Sequence, residues 1–146
     1  MPSTEMPFAV EVLDAVRRRV KAVAAAVAAV EGMRPGGGLV PTHGEPHPGN
    51  VVRTADGLVL VDWETARLAE PERDLWLLAA RTDLDVVEAY TELSGRAVDA
   101  ARLRARGLRW SVVDVAGFVP TLLAAAEETP DTAWQLEALL GSLDEL

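Results

Sequence analysis

The segment that most constrains the fold is His43-Gly44-Glu45-Pro46-His47-Pro48-Gly49-Asn50. Two prolines and two glycines in eight positions forbid a regular helix or a central strand, so the segment is an irregular loop with a fixed path. Leu39-Val40 gives a short extended approach to it. Beyond it, Val51-Val52-Arg53 and Leu58-Val59-Leu60-Val61 are β-branched, apolar runs on either side of Thr54-Ala55-Asp56-Gly57. Asp-Gly between such runs predicts a β-hairpin. Asn50 then enters the first hairpin strand and Asp62 leaves the second. Antiparallel pairing brings their oxygen-bearing side chains to one strand edge.

Helices surround this loop. Leu13, Val16, Val20, Val23, Val27 and Val30 recur at spacings of three and four, predicting one amphipathic helix from Phe8 to about Glu31 with that stripe in the core. Gly32 and Pro35-Gly36-Gly37-Gly38 end it. Further helices are expected over Asp74–Arg81, over Leu84–Leu93 (opened by Thr82 or Asp83 and closed by Gly95), over Val98–Val119 before Pro120, and from Thr129-Pro130 to about Leu143. Trp63, Trp76, Trp110 and Trp134 are expected to pack in the core or between helices, with Trp63 nearest a pocket. The order gives an α+β chain with most of its mass in helices.

Composition removes several functions. The 146 residues carry 23 acidic and 14 basic side chains, a formal net charge of −9, which suits neither DNA nor RNA. There is no cysteine, so disulfide scaffolds, thiolate zinc sites and cysteine nucleophiles are excluded. His43-x-Glu45-x-His47 lacks the helical histidine spacing of a zincin. Met1–Pro7 shows no basic-then-apolar leader, and Ala22–Val30 is too short to span a bilayer. No membrane partner and a cytoplasmic setting are expected. With 49% hydrophobic residues, the chain can bury one core and is read as a single domain over 1–146.

Glu45, Asn50 and Asp62 are the chemistry-bearing set. An amide oxygen and a carboxylate at one strand edge are hard ligands suited to magnesium, and a nearby carboxylate can accept a proton from a hydroxyl. The loop, Val61-Asp62-Trp63, Pro71-Glu72-Arg73-Asp74-Leu75-Trp76, and the later Leu108-Arg109-Trp110 and Asp114 resemble the aminoglycoside phosphotransferase and choline-kinase-like family over roughly residues 8 to 143. That family's loop has the form His-Gly-Asp-x-His-x-x-Asn. The resemblance implies the C-terminal lobe of a protein-kinase-like fold: mainly helical, with a short hairpin carrying the site.

Carried across position by position, the resemblance makes Glu45 the catalytic base, where the family more often has Asp. Asn50 and Asp62 are the magnesium ligands on the nucleotide side, and His47 braces the loop beside them. His43 supports the loop and Asp74 anchors its backbone. The implied reaction moves the γ-phosphoryl group of ATP or GTP, with Mg2+, to the hydroxyl of a small, cationic acceptor.

The family's ATP-binding lobe, with its Gly-rich loop and strand lysine, has no counterpart expected here. Only 42 residues precede His43, and Lys21, the sole lysine, lies mid-helix. The chain is therefore expected to be a truncated or split form, inactive alone, that pairs with a separate N-lobe or with itself. The alternative is a non-catalytic, pseudokinase-like binding module.

Overall fold

The computed structural model describes residues 6–34, 36 and 38–146. Part of the Pro35–Gly38 breaker and most of the Met1–Pro7 leader reading lie outside the described residues. The elements are α1 (Ala9–Glu31), β1 (Val40–Thr42), a 3-10 turn (Pro48–Asn50), β2 (Val51–Thr54), β3 (Gly57–Leu60), β4 (Arg67–Ala69), α2 (Glu72–Ala79), α3 (Val86–Ser94), α4 (Ala100–Ala124) and α5 (Pro130–Asp144). The chain is α+β and mostly helical. It divides into two compact units, one combining residues up to Gly32 with Leu108–Leu146, the other Met33–Gly107.

The first unit is a helical cluster. Phe8, Val12 and Ala15 of the α1 region pack with Val115 and Leu122 of α4 and with Leu139 and Leu143 of α5. The buried stripe is therefore rotated from the one the valines predict. Val16 and Val23 reach the core edge, but Leu13 is 43% and Val20 55% exposed. Phe8, Val12 and Ala15 form the buried face instead, and Ala26 is buried further along the helix. Thr129 and Thr132 form a reciprocal capping box at the start of α5, with Pro130 in its first turn.

Pro120 does not end a helix as the sequence suggests. It sits inside α4, which runs on to Ala124. The Thr121 hydroxyl donates to the Gly117 carbonyl at 2.9 Å, adding a bond next to the one that proline removes. By length and hydropathy α4 could cross a bilayer; 17% of its most apolar window is buried, and Val115 and Leu122 pack in the core of this unit. Trp134 is 62% exposed, resting edge-on against Phe118 rather than in the core.

The second unit holds two small antiparallel sheets. β2 and β3 form the expected hairpin, pairing Val51 with Leu60 and Val52 with Val59 around Ala55-Asp56. β4 was not legible in the sequence. It pairs with β1, Val40 opposite Ala69 and Thr42 opposite Arg67, so the segment after Asp62 returns alongside the approach to the loop. α2 begins two residues earlier than Asp74, with Glu72 and Asp74 both in its first turn, where carboxylates favour the helix dipole. α3 is capped by Asp85, whose side chain accepts from the Glu88 amide at 2.8 Å, not by Thr82 or Asp83. Gly95 closes it with φ 69, the left-handed conformation glycine adopts freely.

Two buried glutamates tie this unit together. Glu70 accepts from the Gly36 amide and pairs with Arg106 of α4 at 2.9 Å. Glu72, 2% exposed, accepts from the Asp99 amide at 2.7 Å.

Candidate functional site

The loop from His43 to Asn50 lies between the two sheets in sequence, and its shape is set by hydrogen bonds from side chains. Asp74 is the main anchor. Its two carboxylate oxygens accept the backbone N–H groups of His43 and Gly44, each at 2.7 Å. Charge-assisted bonds of this length are the strong kind.

His43 is 2% exposed and is used from both ring nitrogens. Its Nδ1 accepts the Glu45 amide at 3.2 Å, which leaves Nε2 to carry the proton and donate to the Val61 carbonyl at 2.8 Å. One imidazole thus links the residue after the loop's turn to the residue before Asp62. Trp63 lies edge-on to that imidazole, ring centroids 4.7 Å apart, and donates to the Leu60 carbonyl. It is 54% exposed, so it covers the site and does not fill the core.

A second latch involves residues the sequence did not single out. The Thr65 hydroxyl donates to the His43 carbonyl at 2.7 Å. Arg73 donates to the Thr42 hydroxyl at 2.7 Å and to the Thr65 carbonyl at 2.8 Å. Burial, with nearby Arg67, lowers the Arg73 guanidinium from its ordinary value, and Asp74 opposes the shift. An arginine starts so high that it stays charged. The only available hint was adjacency: Arg73 precedes Asp74. Gly44 has φ 102, and a Cβ there would collide with the Arg73 guanidinium and lie 2.5 Å from the Thr65 hydroxyl.

At the far end of the loop, His47 caps the 3-10 turn, its Nδ1 accepting the Gly49 amide at 3.1 Å. Asn50 is buried, and its side-chain NH2 donates to the Glu45 carbonyl at 2.9 Å. That bond uses one N–H of the side-chain amide and leaves the amide oxygen for another partner. The Asn50 carbonyl accepts the Val61 amide at 2.9 Å, which sets Asp62 one residue from this crossing. Asp62 is exposed and has φ 63, the only left-handed non-glycine among the described residues. Asp tolerates that region better than most residues, at a cost of about 1 kcal/mol or more.

The structure therefore places Asn50 and Asp62 on adjoining backbone and fixes Glu45 by both its own N–H and its own carbonyl. The Glu45 side chain has no hydrogen bond or ion pair among the described residues. No group of three or more His, Asp or Glu side chains is arranged around a common point among the described residues. An amide oxygen with one carboxylate is a two-ligand set, which suits magnesium, since that ion keeps several waters and takes other oxygens from phosphates.

The fold has solved counterparts. A spectinomycin phosphotransferase, APH(9)-Ia, in complex with ADP and spectinomycin superposes with a TM-score of 0.72 at 18% identity, over 96% of this chain and 50% of that one. The AMP-bound complex of APH(9)-Ia matches with a TM-score of 0.65, also at 18% identity, over 94% of this chain and 46% of that one. The chain thus spans about half the length of these solved structures, and likeness at this identity speaks for the fold. No curated protein matches at the level of sequence. The phosphotransferase enzyme family (APH) matches residues 6–131. The chain belongs to the phosphotransferase enzyme family.

Proposed function

We propose that these 146 residues form the metal- and acceptor-holding half, the C-terminal lobe, of a small-molecule kinase that moves the γ-phosphoryl group of ATP or GTP to a hydroxyl. The single observation that carries this is the loop itself: Asp74, His43 and Thr65 fix its backbone, while the oxygens of Glu45, Asp62 and the Asn50 amide are left for ligands. A frame held this way around three uncommitted oxygen-bearing groups fits phosphoryl transfer, which depends on positioning and charge more than on covalent help.

In this reading the Asn50 amide oxygen and the Asp62 carboxylate would hold magnesium, which would supply positive charge to offset that on the phosphates. Glu45 orients the acceptor hydroxyl and takes its proton as the oxygen attacks phosphorus and the nucleoside diphosphate leaves. His43, Asp74, Thr65 and Arg73 touch no substrate. They keep the loop's path, and His47 holds the turn that presents Asn50. The acceptor is a small hydroxyl compound, cationic to suit a chain of net charge −9. The acidic chain has no partner in nucleic acid, and the cytoplasm supplies its nucleotide.

Calorimetry of the chain with Mg2+ and ATP tests this, with Asp62→Asn as the control. Saturable, magnesium-dependent binding that Asp62→Asn weakens at least tenfold is expected, about 1.4 kcal/mol. Binding indifferent to Asp62→Asn would remove the metal assignment. Turnover by these residues alone is expected to be negligible, because the phosphate-clamping elements are to be supplied by an N-lobe. Sustained turnover by the purified 146-residue chain would overturn that part.

One observation favours a second reading, a non-catalytic module. Val52 (46% exposed) and Val59 (47%) face the same side of the hairpin, an apolar surface suited to a partner lobe or another copy. Light scattering separates them: a clean monomer at high concentration, together with magnesium-dependent ATP binding, counts against the module.

A further inference from the structure

Behind the loop, within the second unit, lies a hollow of about 470 Å³. Its size falls in the range of small-molecule sites. Pro46 and Pro48 of the loop line it with Val51 and Leu77, and Arg53 and Arg81, both exposed, line it too. Leu77 is 6% exposed, whereas Leu58 (65%) and Leu78 (40%), which also line the hollow, are left open to water. The surface is thus built of core-type side chains that nothing in this unit covers.

Its charge runs against that of the chain. Acidic residues outnumber basic ones 23 to 14 overall, yet the nine lining residues include two arginines and no Asp or Glu. Neither Arg53 nor Arg81 is in an ion pair among the described residues. Two uncompensated guanidinium groups lining an apolar hollow select one ligand chemistry: a chain or ring that fills the cavity, ending in an anion. A cation would face repulsion, and an uncharged apolar molecule would leave both arginines unused.

We infer that this hollow is a binding site for an amphipathic monoanion, an aliphatic carboxylate of medium length, lodged against the back of the catalytic loop. Pro46 follows Glu45, Pro48 follows His47, and Val51 follows Asn50, so the occupant bears on the backbone next to Glu45, His47 and Asn50. The inference uses neither nucleotide nor magnesium and stands or falls apart from the phosphotransfer reading.

The test is calorimetric titration of the 146-residue chain with decanoate, with decyltrimethylammonium and decanol as cationic and uncharged probes. Saturable binding of one decanoate per chain is expected, with both other probes about tenfold weaker. Arg53→Glu combined with Arg81→Glu, both at exposed positions, should weaken decanoate about tenfold while circular dichroism and Tm stay unchanged. Leu58→Glu, equally exposed, should weaken it by a similar factor. The inference is overturned by equal binding of anionic and cationic probes, by unchanged decanoate affinity in the double variant, or by absence of saturable binding. It is also overturned if the face proves to be a contact between copies, with Leu58→Glu dissociating a dimer that decanoate leaves intact.

Discussion

The guanidinium of Arg73 occupies the space into which a Cβ on Gly44 would project. The His43–Asn50 loop is therefore packed against its latch with no room for even a methyl group, and the backbone there is left-handed as well.

Gly44→Ala should accordingly cost about 2–3 kcal/mol, combining the φ strain with displacement of Arg73 from Thr42 and Thr65. Urea unfolding measures it. Adding Arg73→Ala should relieve the clash but not the strain, so the double variant should be less destabilised than the sum of the two single changes. Strict additivity would count against the packing account.

Asp74→Asn replaces one of the two accepting oxygens by an NH2 that faces a backbone N–H. A cost of about 2–3 kcal/mol is expected from the lost charge-assisted bond and the amide left unsatisfied. Hydrogen exchange of the His43 and Gly44 amides should accelerate more than exchange in α5. Uniform acceleration across the chain would mean that Asp74 serves global stability and not the loop.

Glu70 and Arg106 form a nearly buried pair, with side chains 11% and 13% exposed. The Gly36 amide chiefly, then the Glu70 backbone amide and the Arg106 charge, hold the Glu70 carboxyl below its ordinary value of 4.5. Its contribution is thus present above that ordinary value and lost as pH falls through the lower, folded value. Glu70→Gln should cost about 3 kcal/mol near neutrality by stranding the Arg106 charge, and the gap to wild type should narrow in acid. A gap independent of pH would refute the ionic assignment.

Asp114 behaves oppositely. Burial raises its carboxyl above 3.8, assisted by Glu145 and opposed by hydrogen bonds from Ser142 and Trp110. A raised value means the folded state holds the proton more tightly. Its favourable contribution is complete below the ordinary value and disappears as pH rises through the folded one. Asp114→Asn should therefore raise Tm at neutral pH by about one or two degrees, with no gain in strong acid. Calorimetric scans across pH check this, and a lower Tm at neutrality would show that the Ser142 bond to the carboxylate outweighs the burial.

Much of the site was legible because the chemistry is local. Gly, Pro and Asp-Gly fixed a loop and hairpin, and Asn50 and Asp62 flank that hairpin in both sequence and space. The long-range latch was not. Thr65 and Arg73 reach the loop only because β4 returns beside β1, and three residues, Arg-Leu-Ala, carry no strand signal of their own. The face of α1 was misread for a related reason. The valines outline a stripe, but the core takes the face that carries Phe8, Val12 and Ala15, leaving Leu13 and Val20 in water. Pro120 reads as a stop from its own penalty alone, although α4 continues past it with a local Thr121 hydroxyl bond to Gly117 four residues back.

The left-handed backbone of Asp62 has a consequence for its charge. Few residues can stand there, and Asn and Gly are the easiest replacements. Asn at this position would leave the hairpin undisturbed while removing the negative charge that Asp62 carries. Position 62 can therefore change its charge without changing the shape of the chain, so the fold by itself does not hold the carboxylate in place.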